Sequence, residues 1–231
     1  MYYGYSYDST YILVIIGAII TLLAQVFVNS SYNKYKQRIN NNSITGRDVA
    51  RRILDANGLS DVSVVEVAGT LTDHYDPTKK TVNLSTDIYK DSSIASVAVA
   101  AHECGHAIQD KDGYTFLRIR HMIVPTVNLC SKLGYLVIGI GLLFGTYNLA
   151  MFGLILLCAI LLFQLVTLPV EFNASKRAVE QLRFLNLADD IDQNGVKSML
   201  SAAAMTYVAS LASTLLQLLR LFIIISSRRD D

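Results

Sequence analysis

His102-Glu103-Cys104-Gly105-His106 has the form H-E-x-x-H. On an α-helix, two residues four positions apart lie on one face. The two imidazoles can then grip one zinc ion, and the glutamate beside the first histidine can hold the water that the metal activates. The chain has only four histidines, and this stretch uses two of them. Just upstream, Ser92 or Ser93 is placed to cap a helix that continues through Ile94, Val97, Ala98 and Ala101 to Gln109. A helix over 93–109 therefore carries the pattern, and what it packs against decides the fold.

The surrounding chain is apolar. Of 231 residues, 52% are hydrophobic and 17% charged, with no tryptophan, and the mean hydropathy is +0.37. The apolar residues fall in blocks, the pattern of membrane spans rather than of one large core. A net charge of +1 gives no basic excess to displace counterions, which argues against a nucleic-acid partner. Cys104, Cys130 and Cys158 are odd in number, widely spaced and without C-x-x-C. That excludes a disulfide framework or a cysteine zinc site as the organising feature.

Four blocks stand out. Residues 11–28 form a first span, preceded by a tail (1–10) whose Tyr2, Tyr3, Tyr5 and Tyr7 join Tyr11 as an aromatic belt. A cleaved signal peptide fits this segment poorly, because no Lys or Arg precedes it and no A-x-A site follows. Residues 123–169 are too long for one span and suit a two-helix hairpin turning at Gly145-Thr146-Tyr147-Asn148. Lys132, near the start of its first leg, can snorkel to an interface. Residues 199–226, with Gln217 and Arg220 among small residues, form a fourth span or a helix packed on the others. A short tail, 227–231, follows. Lys34, Lys36, Arg38, Arg47, Arg51 and Arg52 come after the first span and no cation before it, so the positive-inside rule places 29–122 in the cytoplasm.

The 29–122 region mixes both types of element. Thr45 and Asp48 resemble a capping box opening a helix that ends at Gly58. Val62–Val67 and Thr81–Ser85 read as strands, with a loop or hairpin turn over Leu71–Lys79. The expected fold is a mainly α membrane protein of three to four transmembrane helices with a small α+β region.

A catalytic zinc takes three protein ligands and keeps one position open. His102 and His106 supply two. Glu171, in Leu168-Pro169-Val170-Glu171-Phe172-Asn173-Ala174-Ser175, is the strongest third candidate, at the start of a helix expected over 170–198. The hairpin crosses the membrane twice and so returns Glu171 to the side of His106. The plainer role for Glu171 is a carboxylate favoured by the dipole of that helix. Asp112 is the rival ligand, ten residues after His102, but that arrangement needs a glycine at 109, where this chain has Gln109.

The residues A-A-H-E-C-G-H-A-I-Q, the hairpin and L-P-V-E-F-N-A-S-K-R-A resemble the bacterial membrane zinc metallopeptidases of the YugP type, as do Leu71–Pro77 and Val82–Ser85. The likeness covers nearly the whole chain. More distantly it is similar to the HtpX and CAAX-prenyl gluzincin proteases. The resemblance implies a zincin-like catalytic region and an integral-membrane zinc endopeptidase. It also implies one zinc per chain on His102, His106 and Glu171, Glu103 as general base, and a protein or peptide substrate, membrane proteins included. The distant relatives read E-x-x-A-D, and this chain has Ser175 where they have the aspartate that supports a ligand histidine. Ser175 or Asn173 is the substitute support. His74, Arg177 and Arg183 are candidates to contact substrate or transition state, and Thr81–Ser85 is a candidate edge for docking an extended substrate. Two other functions share these features: a zinc hydrolase acting on a non-peptide amide, and a non-catalytic membrane metal-binding protein. Glu103 argues against the second, because a structural zinc site has no use for a free carboxylate there.

Overall fold

The computed structural model describes residues 10–227. The tyrosines expected to form a belt at positions 2, 3, 5 and 7, and all but the first residue of the tail over 227–231, lie outside the described residues. The elements run α1 (Tyr11–Lys36), α2 (Gly46–Ala56), β1 (Ser63–Val67), β2 (His74–Asp76), β3 (Thr81–Ser85), α3 (Thr86–Lys90), α4 (Ile94–Lys111), α5 (Thr115–Leu143), α6 (Tyr147–Phe184) and α7 (Asp190–Ser227). Among the described residues, α1, α5, α6 and α7 are long and apolar enough to cross a membrane. The protein is a mainly α membrane protein with a small α+β region.

The chain divides into two compact units. The first comprises Met1–Ala24, Arg120–Val166 and Tyr207–Asp231. Its helices meet over small residues: Gly141 of α5 abuts the backbone of Ala150 on α6, and Gly153 of α6 faces the carbonyl of Gly134. Side chains here would hold the backbones apart, so glycine permits the close approach. Ile138, Ala150, Leu154, Leu157 and Ile225 form a small core. Outward, Ile12, Ile15, Ile16, Ile19, Leu22 and Leu23 of α1 are exposed, as suits a lipid-facing surface. The α5–α6 turn is made by Gly145 at φ +66°.

The second unit comprises Gln25–Ile119 and Thr167–Thr206. Its centre is α4, whose Ala-rich sequence lets neighbouring elements approach on most sides; Val97, Ala98, Ala100, Ala101, Cys104 and Ala107 are all buried. Ser93 caps α4 by accepting from the Ser96 N–H at 3.0 Å. Thr45 caps α2 in the same way through Asp48 N–H at 3.2 Å, and α2 packs Val49, Ile53 and Leu54 into the shared core. Asp76 shapes the β2–β3 turn, its Oδ1 accepting from Thr78 and Lys79 N–H at 2.9 and 3.1 Å.

The structure departs from the sequence expectations in three places. The sheet order is β1-β3-β2, with β1 parallel and β2 antiparallel to β3. Thr81–Ser85 is therefore the central strand, not a docking edge, because its backbone groups are taken up by neighbours on both sides. The outer strands are β1 and β2, and β2 is formed by a stretch expected as loop. Second, α6 continues through Pro169 to Phe184. Glu171 lies inside that helix rather than opening a new one over 170–198, which removes the helix-dipole role, since that effect fades beyond the first turn. The chain instead breaks between Phe184 and Asp190. Third, α5 begins at Thr115, so residues 115–122 belong to the first hairpin helix.

Candidate metal centre

α4 presents His102 and His106 one turn apart, their rings 4.8 Å between centroids and nearly perpendicular at 85°. α6 brings Glu171 against both. Its Oε2 lies 3.3 Å from His102 Nε2 and 3.7 Å from His106 Nε2. Among the described residues, His102, His106 and Glu171 form a group whose ligand atoms all lie within 4.8 Å of one another. Glu171 is 3% exposed and Glu103, beside His102 on the same helix, 8%. Two imidazole nitrogens and a carboxylate oxygen converging in a buried place are the donor set of a catalytic zinc, and these residues fit that ion.

The far side of each ring is also held. His102 Nδ1 lies 3.2 Å from Ser175 Oγ. His106 Nδ1 lies 3.0 Å from Gln109 Oε1. With both Nδ1 atoms occupied, both Nε2 atoms are left to face Glu171. Burial works against a charged His106 ring, but Glu171, the Glu103 charge and Gln109 outweigh it and raise its pKa above the ordinary 6.5.

A family model described as "Putative neutral zinc metallopeptidase" matches residues 10–226. The chain belongs to this family. It is also 47% identical over 208 residues to the "Putative membrane protease YugP" of Bacillus subtilis (strain 168), an alignment covering 90% of this chain and 92% of that protein. No solved structure matches it.

Within this member of the family the other candidates are placed as follows. Asp112, the rival third ligand, is not part of the group; it sits at the C-cap of α4 and pairs with Arg177 Nη1 at 2.5 Å. Arg177 also donates from Nε to Asn173 Oδ1 at 2.8 Å. Asn173 supports neither histidine directly; it reaches His106 through Gln109, whose Nε2 donates to it at 3.0 Å. Arg183 turns toward α7, where its Nε lies 3.4 Å from Gln193 Oε1. His74 is held in its own loop, Nδ1 2.8 Å from the Thr72 carbonyl. Gln109 is the residue that sequence reading missed. The available signal was its spacing, three residues after His106 and so on the same helical face.

Proposed function

We propose that this chain is an integral-membrane zinc-dependent endopeptidase holding one zinc on His102, His106 and Glu171. The observation that carries the reading is the convergence of the His102 and His106 Nε2 atoms on Glu171 Oε2, with Glu103 on the same helix. Zinc bound there would polarise the scissile carbonyl and make water acidic enough to lose a proton near neutral pH. Glu103 accepts that proton and passes it to the departing amine.

The substrate is a protein or peptide, membrane proteins included. Its extended backbone pairs with the outer side of β2 (His74–Asp76), one of the two outer strands in the β1-β3-β2 order. The basic residues that follow the first span support a cytoplasmic site, with Lys36 and Arg38 at and just beyond the end of α1.

The test compares purified full-length protein with its Glu103→Gln variant, by zinc content and by digestion of a peptide library with a chelator control. The variant should keep zinc and lose about 10²–10⁴-fold in cleavage. Full cleavage by a zinc-loaded variant would overturn the mechanism. N-terminal proteomics of cells carrying either form then reads the substrates.

A further inference from the structure

Gln109 is 0% exposed, and its amide is oriented by partners that cannot change role. Its Nε2 lies 2.8 Å from the Val170 carbonyl oxygen and 3.0 Å from Asn173 Oδ1. A backbone carbonyl only accepts. Asn173 could in principle turn either end of its amide toward Gln109, but Arg177 Nε sits 2.8 Å from the same Oδ1. A guanidinium only donates, so Asn173 must show it oxygen. Gln109 therefore faces two acceptors with its NH₂, and its Oε1 is left 3.0 Å from His106 Nδ1. An amide oxygen cannot donate. In the neutral ring the proton must lie on Nδ1, which leaves the Nε2 lone pair facing Glu171.

We infer that Arg177, Asn173 and Gln109 form a positioning relay that fixes the Nδ1–H tautomer of His106 and aims its Nε2 at the metal. Asp112 anchors the outer end by pairing with Arg177. The inference rests on the zinc reading above and adds an asymmetry to it. His102 meets Ser175 Oγ, and a hydroxyl can donate or accept, so that partner selects no tautomer. His106 is the preset ligand and His102 the adaptable one. A charge on the surface-facing side of α6 thereby governs a buried imidazole through two amides, neither of which touches the metal.

The test uses full-length, detergent-purified protein labelled with ¹⁵N-histidine, in wild-type, Gln109→Met and Arg177→Met forms. Methionine fills the buried slot of Gln109 with similar volume and no donor or acceptor. Zinc affinity is read by chelator competition. The Nδ1–H resonance of His106 is read in the zinc-loaded protein and assigned with His106→Ala, which is straightforward with four histidines in the chain. Gln109→Met should weaken zinc by about 10–100-fold and shift the His106 Nδ1–H signal or lose it to exchange, leaving that of His102 in place. Arg177→Met should move both readouts in the same direction by less, and it decides the matter if Gln109→Met does not fold. Wild-type affinity and an unmoved His106 signal in the folded variants would overturn the relay. A wild-type protein that binds no zinc would overturn the metal reading itself, a separate result.

Discussion

Gly105 of α4 and Ala174 of α6 meet backbone to backbone: a Cβ on Gly105 would lie 2.5 Å from the Ala174 carbonyl oxygen. The contact falls between the two histidines in sequence and three residues after Glu171, so it sets the distance across which the histidines meet Glu171. The middle positions of H-E-x-x-H are thus not free here. Cys104 points the other way, fully buried with Sγ 3.6 Å from the Ala50 carbonyl oxygen, and burial raises its pKa, as expected of a packing thiol.

Gly105→Ala tests this contact because two effects oppose. Alanine gains about 1 kcal/mol in helix propensity. The clash, however, is with a backbone carbonyl that no rotamer change can move, and overpacking of this kind costs about 1–3 kcal/mol. The clash should win, with α4 and α6 pushed apart at the ligands. Thermal unfolding and zinc competition should both show loss. A variant more stable than wild type with unchanged zinc affinity would mean that the helices have slack at this level.

Ser175 gives a prediction in the opposite direction. Ser175→Ala removes the partner of His102 Nδ1 and should weaken zinc binding about tenfold, at the lower end of what such supporting bonds contribute. Ser175→Asp supplies a charged acceptor and should tighten zinc relative to wild type. The extra atoms have space, since Ser175 lines a cavity of about 450 Å³ between α6 and α7. Equal affinities across the three proteins, measured by chelator competition, would show that His102 needs no partner on that side.

Short-range signals were readable in the sequence. The Thr45 cap, a serine cap at 92 or 93, the β3 bounds and the α4 helix follow from propensity and local hydrogen bonds, which act within a few residues. The closeness of Glu171 to the two histidines also follows from the sequence, because membrane crossing converts sequence order into sidedness. What was hidden depends on pairing partners far along the chain. Thr81–Ser85 alternates as either an edge or a central strand would, and only the register with β1 and β2 distinguishes them. The continuity of α6 past Pro169 was hidden for a related reason: proline discourages helix locally, while packing of Val170, Ala174 and Ala178 into the core rewards it. The link from Gln109 to Val170 spans 61 residues and carries no local mark at all.

Metal removal should reverse the pH dependence of stability. In metal-free protein the His106 pKa is raised above 6.5 by Glu171, Glu103 and Gln109 against the opposing effect of burial. A raised histidine pKa contributes stability that is complete below the unfolded value and is lost as pH rises through the folded value. Zinc competes with that proton, so its stabilisation grows over the same interval. The gap in melting temperature between zinc-loaded and chelator-treated protein should therefore widen from about pH 6 to pH 8. Thermal scans at fixed free zinc check this, and a gap independent of pH would remove His106 from the ligand set.

Asn40 predicts a fault remote from the ligands. It is 1% exposed and bonds three ways: Nδ2 to the carbonyls of Ile44 and Ser92 at 2.8 and 2.7 Å, and Oδ1 from Ile44 N–H at 3.1 Å. These bonds tie the segment after α1 to the residues that start α4. Asn40→Ala leaves the Ile44 N–H and carbonyl without their partner and should cost about 1–3 kcal/mol. Asn40→Asp is nearly isosteric, yet it should be worse at pH 7. It replaces the NH₂ with an oxygen aimed at two carbonyls and buries a charge. Its carboxyl should bind a proton more tightly folded than unfolded, since the protonated form can donate to one carbonyl. Stability of the aspartate variant should accordingly rise as pH falls from 7 toward 5, while that of the alanine variant should not show this added gain. Thermal unfolding of the two variants over that range separates a hydrogen-bonded clamp from a residue that merely fills space, for which aspartate would be the milder change.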